Sequence, residues 1–142
     1  MVFLLIALGF WYGLDGWAAT VSTQAFGRYE ILVQEGTPVA LGEVLGLVRR
    51  QTGLPEYPLM LHWRKGGLQL SILGPGNRPI SLSAAALKGS STAPTPTARF
   101  SVVRTMRQDE TLTLQLRRTN APGTIRLAVD LARLERMLEG ER

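Results

Sequence analysis

Cysteine is absent from the 142 residues, and histidine occurs once, as His62. The first absence excludes disulfides, a thiolate nucleophile, cysteine–zinc ligation and lipid attachment through a thiol. The second excludes, within one chain, a two-histidine metal site and a charge switch built from a histidine cluster. Lysine is nearly missing as well: of the 16 basic residues, all but Lys65 and Lys88 are arginine. With 45% hydrophobic and 19% charged residues, the chain is composed to fold. Its length suits one domain or two very small ones. The formal charge of +5 therefore rests on arginine, whose planar guanidinium grips phosphate or carboxylate bidentately. A GC-rich or thermophilic genome accounts for the same usage with no ligand at all.

Charge is also missing from the N-terminus. No charged side chain occurs from Met1 to Leu14, and Asp15 is the only one before Arg28. Crossing a hydrocarbon core of about 30 Å takes about 20 helical residues, which residues 2–22 supply if Asp15 is tolerated. Trp11, Tyr12 and Trp17 belong to the aromatic type enriched at membrane interfaces, which places Asp15 near headgroup depth. Gly9 and Gly13 form a GxxxG pair, a spacing that lets two membrane helices approach. The sequence thus predicts an anchor helix and connector over 1–27, with helix packing at Gly9 and Gly13. Trp11, Tyr12, Asp15 and Trp17 mark the interface. The alternative is a removable signal, which lacks a basic leading region but offers Thr23-Gln24-Ala25 as a cleavage site before Phe26. A buried helix is a third reading, opposed by the lack of a polar face before Asp15.

Strand formers at 28–34 predict a strand after the connector. Thr37 and Pro38 suit the first positions of a helix, and Leu41, Val44, Leu45 and Val48 recur at helical spacing, so 38–52 reads as an amphipathic helix. Runs at 58–65 and 68–73 flank Gly66-Gly67 as a hairpin, and 80–83 is a short further strand. A stretch of small polar residues and prolines, 88–98, reads as a linker. Beyond it, 99–107, 111–118 and 124–131 alternate as consecutive antiparallel strands. A terminal helix, 131–140, turns Leu131, Leu134 and Leu138 inward. The fold class expected is α+β: an N-terminal single transmembrane helix, then a small domain of antiparallel strands with two helices. Its lobes are 28–87 and 98–142.

Catalytic chemistry finds little support. His62 lies mid-strand, Asp109 and Glu110 sit in a turn where they point apart, and no serine or threonine has an evident base. The glycine-rich loop at 74–79 lacks the phosphate-loop pattern, and no metal-ligand spacing occurs. No catalytic residue, cofactor or metal is expected. Alternation through the last three strands instead gathers Arg99, Arg107, Arg117 and Arg126 on one polar face with Ser101, Thr105, Thr113 and Gln115. Arg104 interrupts the apolar set opposite. The polar face is a candidate partner surface, and equally the solvated side of a one-sided sheet. It carries no aromatic to stack on bases, which disfavours nucleic acid and favours a protein partner.

The functional expectation is a non-enzymatic, single-pass membrane subunit of a multiprotein complex, acting through contacts with other membrane subunits or itself. The soluble part leans to the exported side. The layout is similar to that of small single-pass subunits of bacterial envelope machines, though no motif carries the likeness. The glutamate near the start of a mature pilin helix has no counterpart within residues 2–14. The alternative is an exported soluble binding module, cleaved of residues 1–25, whose basic sheet face meets an anionic ligand or nucleic acid.

Overall fold

The computed structural model describes residues 20–86 and 97–140, and these are mostly strand. Runs rich in leucine and β-branched residues, separated by glycine turns, form β1 (Thr20–Phe26), β2 (Tyr29–Glu35), β3 (Val39–Ala40), β4 (Val44–Arg50) and β5 (Gly53–Arg64). They continue as β6 (Gly67–Leu73), β7 (Pro79–Ala86), β8 (Arg99–Gln108), β9 (Thr111–Arg118) and β10 (Thr124–Asp130). The α-helix among the described residues, α1 (Leu131–Leu138), follows β10 directly.

The strand order is β10-β9-β8-β2-β4-β5-β6-β7, with β1 added on β2 and β3 on β8. β7 returns to lie against β10, so the sheet curls into a nearly closed barrel. The segments on either side of 88–98 share this sheet. Glu35 of β2 bridges to Val102 of β8, and the Gly36 N–H donates to the Val102 carbonyl at 3.0 Å. They share one core as well, in which Ile31, Leu59, Leu61 and Leu70 pack with Phe100, Leu114 and Leu127, none more than 1% exposed. Burying each such side chain contributes about 1.5–3 kcal/mol.

One end of the barrel is covered by α1. Asp130 caps it, its carboxylate accepting from the Arg133 N–H at 3.1 Å. Leu131, Leu134 and Leu138 share a face and are buried as the spacing predicts. The polar end is tied to the β1–β2 turn, where the Arg28 guanidinium lies 3.2 Å from Glu139 and the Arg28 N–H donates to Glu135 at 3.3 Å.

The helix expected over 38–52 is instead β3 and β4. A bulge between Val44 and Gly46 places both Leu45 and Val48 in the core, three residues apart, so a strand imitates helical spacing. Gly46 is essential to this packing, because a Cβ there would collide with the Leu32 carbonyl oxygen of the neighbouring strand. The hairpin after β5 turns at Lys65 and Gly66, whose φ angles of 52° and 75° define the primed turn that a two-residue hairpin prefers. β5 also starts earlier than expected. Pro55 and Pro58 fit within it because pairing to β6 begins only at Leu59.

The membrane anchor is overturned too. β1 takes residues 20–26, including the last three that a span of 2–22 requires. Those three residues pair with β2 in the sheet and so belong to no crossing helix. No helix among the described residues is long and apolar enough to cross a membrane. The α+β class with an N-terminal transmembrane helix therefore gives way to a mostly β, barrel-like sheet. The single-pass membrane localisation loses its basis, as do the transmembrane-helix descriptions built on it. Gly9, Gly13, Trp11, Tyr12, Asp15 and Trp17 lie outside the described residues.

Candidate functional site

The arginine face is built by β8, β9 and β10, and one irregularity decides its membership. Strict alternation from Arg99 would keep Thr105 and Arg107 outside, but the register shifts between Val102 and Arg104. Val103 is the inserted residue and is 40% exposed. Beyond it Arg104 pairs with Gln115, and Met106 with Thr113, both on the outward side. Thr105 and Arg107 pair with Leu114 and Leu112 and share their side of the sheet. There the Thr105 and Ser22 hydroxyls share a 2.8 Å hydrogen bond, and the Arg107 guanidinium donates to the Ala25 carbonyl. Arg107 thus leaves the expected face and ties β8 to β1. Apolar Met106 turns outward by the same bulge.

What remains outside is an in-register row, Arg104–Gln115–Arg126, running across three strands. In the next outward row Ser101, Arg117 and Thr124 stand side by side. With strands about 4.8 Å apart, Arg104 and Arg126 flank Gln115 at roughly 10 Å from each other. Arg104, Arg117 and Arg126 are exposed, and none has an acidic partner among the described residues.

Another row of the barrel is built the opposite way. Glu30, Arg49 and Glu56 stand in register across β2, β4 and β5. Arg49 reaches Glu30 at 2.7 Å and Glu56 at 3.8 Å, one guanidinium between two carboxylates. The fold compensates charge in that row and leaves it uncompensated on β8–β10.

Arg99 also departs from the face. Its guanidinium lies 4.0 Å from Glu43, and its carbonyl accepts from the Thr119 N–H and hydroxyl at 3.0 and 3.1 Å. Of the four arginines expected together, the structure keeps Arg117 and Arg126 on the outward side, in adjacent rows, and adds Arg104. The sequence signal for Arg104 was its interruption of the apolar alternation.

Beneath α1 lies a polar cluster. Tyr29, 3% exposed, donates its hydroxyl to Glu139 at 2.7 Å. Burial, reinforced by the Glu139 carboxylate, holds its pKa well above the ordinary 10.0 of a phenol. Burial raises the Tyr57 phenol as well, against the opposing charge of Arg50, whose own Nε is buried without a hydrogen-bond partner. Both phenols are thereby held neutral, unsuited to act as bases or nucleophiles near neutral pH. Burial, with Arg64 beside it, also pushes the His62 imidazole below its usual 6.5. Among the described residues no group of His, Cys, Asp and Glu side chains is placed to hold a metal ion.

The tyrosines make a prediction about alkaline stability. A phenol whose pKa is raised on folding contributes stability that is complete below its unfolded pKa of 10.0 and is lost as pH rises above it. Urea midpoints should therefore be level up to about pH 10 and fall beyond. Tyr29→Phe should flatten that fall, and an unchanged slope in the variant would show that Tyr29 is not its source.

A shallow cleft of about 490 Å³ separates the first half of β5 from the turn at Pro75–Asn77, lined by Pro55, Glu56, Tyr57, Pro58 and Asn77. Glu56 is its only ionised side chain and is already engaged with Arg49, so the cleft gathers no converging reactive groups. The uncompensated arginine row is the feature that the fold positions and does not itself use. Neither a protein-family model, nor a curated protein, nor a solved structure matches this chain.

Proposed function

We propose that the chain is a non-catalytic binding module whose β8–β10 face docks an acidic protein surface. One observation carries this reading: Arg104 and Arg126 flank Gln115 in register with no carboxylate between them, while the comparable row at Arg49 is neutralised on both sides. Unpaired guanidinium groups on a strand-borne surface attract and orient carboxylates of a partner. Exposed Val103 at the bulge adds an apolar contact beside Arg104. The face offers bases nothing to stack on, since Phe100 is fully buried in the core.

The test is fluorescence anisotropy with a labelled polyglutamate peptide, and with a single-stranded oligouridylate of equal charge, at low and physiological salt. Polyglutamate should bind and weaken as salt rises. The double variant Arg104→Gln, Arg126→Gln should weaken it by about tenfold, the loss of two partly screened ion pairs. No binding at low salt, or equal binding by the double variant, would sink the proposal. Tighter binding of the oligouridylate would replace the protein partner with a nucleic acid.

A further inference from the structure

Strand β2 is buried on both of its sides. Ile31 and Val33 belong to the core; Leu32, between them, does not, yet it is only 1% exposed. It faces out of the barrel in a row with Thr23, Leu47 and Pro58 of the strands beside it. Gln34, outward on the same strand, is 5% exposed, and so is Ser71, which stands opposite outward Met60. Even Arg49, on this outward side, keeps only 11% of its side chain exposed. A continuous apolar run such as Ile31-Leu32-Val33 belongs to a strand covered on both faces.

β9 supplies the comparison within the same barrel. It too lies between two paired strands, and its outward residues Thr113, Gln115 and Arg117 are half-buried or exposed. A central place in the sheet therefore does not by itself bury an outward side chain. No described element supplies the cover on the other side: those packed substantially on β2, β4 and β5 are strands of the same sheet, and α1 packs on β1 and β10. The face is also one that gains from being covered, since Val44, Leu47, Pro58 and Met60 continue the apolar surface around Leu32.

Three stretches lie outside the described residues, 1–19, 87–96 and 141–142. The second is small and polar, with Lys88 and two prolines, and the third is Glu-Arg. Only the first matches an apolar face. It holds no charge before Asp15 and carries Phe3, Phe10, Trp11, Tyr12 and Trp17. It joins the barrel at Thr20, next to Val21, which pairs with Gln34 at the margin of the buried face. From β1 across β2 and β4 to β5 is about 14 Å at ordinary strand spacing. A stretch of this length reaches about 28 Å even at the short rise of a helix. We infer that residues 1–19 fold back over the outward face of β2, β4 and β5, which is a docking surface for that segment. The barrel then has one side closed by its own chain and another, at β8–β10, left open with its charge uncompensated.

The lack of cysteine makes the test direct. Ala7→Cys in the full-length chain provides a single thiol for a benzophenone label. The labelled protein is irradiated at low concentration, with and without phosphatidylcholine vesicles, and its adducts are mapped by mass spectrometry. They should be intramolecular and fall on residues 30–34, 44–49 or 58–62 in both conditions. Leu47→Asp should lower their yield by about tenfold or more, because covering an unpaired carboxylate is costly. Leu47→Ser should lower it less, and serves if the aspartate variant fails to fold. Thr111→Asp, at an exposed site on β9, should leave the yield unchanged. Absence of intramolecular adducts, adducts confined to β8–β10, or a yield indifferent to both Leu47 variants would each overturn the assignment. So would adducts between two chains, which would give the face to a second copy, and lipid adducts in place of the intramolecular ones, which would give the segment to a membrane.

Discussion

Phe100→Ala is expected to lower the unfolding free energy by about 3–5 kcal/mol, close to the whole stability of many domains this size. Phe100 is fully buried, and it stands at a junction: β3 pairs with it through Val39 on one side and β9 through Arg118 on the other. Removing the ring leaves a void that surrounding leucines cannot fill without moving strands, and the lost contacts are not replaced. Phe100→Leu, which keeps most of the volume, should cost only about 1 kcal/mol. Urea unfolding of the three proteins, with the slope checked for constancy, measures both differences. A loss below about 1 kcal/mol for the alanine variant would mean that this end of the barrel repacks freely.

Much of this architecture can be read from local pattern. β2, the β5–β6 hairpin, the three strands β8 to β10 and α1 all follow from alternation, turn glycines and an aspartate cap, signals that lie within a few residues of what they specify. Two bulges defeat such reading. At Leu45 the extra residue converts strand alternation into an apparent helical period; at Val103 it reverses which side of β8 faces out. The second is why Arg107 was expected on the face it leaves and why Arg104 was not. Its trace was visible nonetheless, as an arginine interrupting an apolar set.

Barrel closure was not legible at all. The meeting of β7 with β10, and of β2 with β8, joins residues whose separation in sequence carries no periodic mark. β1 was hidden differently: Thr20–Phe26 follows an apolar run without a break and was absorbed into it.

Deletion of residues 20–25 should have an effect as large as the core substitution, and it decides what the N-terminal region contributes. β1 pairs with β2 along its whole length, from Thr20 opposite Glu35 to Phe26 opposite Tyr29. Phe26 is 4% exposed and stacks on Tyr29, with ring centroids 5.9 Å apart. Without β1, one edge of β2 is stripped of its hydrogen-bonding partner. On β8, Thr105 loses Ser22 and Arg107 loses the Ala25 carbonyl. The expected result is loss of a cooperative transition, or a cost above about 4 kcal/mol, with self-association through the bared edge. Urea unfolding and gel filtration of the deleted and intact chains measure the two consequences. Thr23→Pro, which removes one donor from the strand and retains its other residues, should fall between them. A leader cut after Ala25 would take the same strand from the barrel. If the shortened chain instead unfolds cooperatively at nearly the same urea concentration, β1 is a dispensable flap, and a binding module lacking residues 1–25 becomes physically sound. If it does not, the strand is part of the scaffold that aims Arg104 outward. The arginine face then requires residues that composition alone assigned to a membrane.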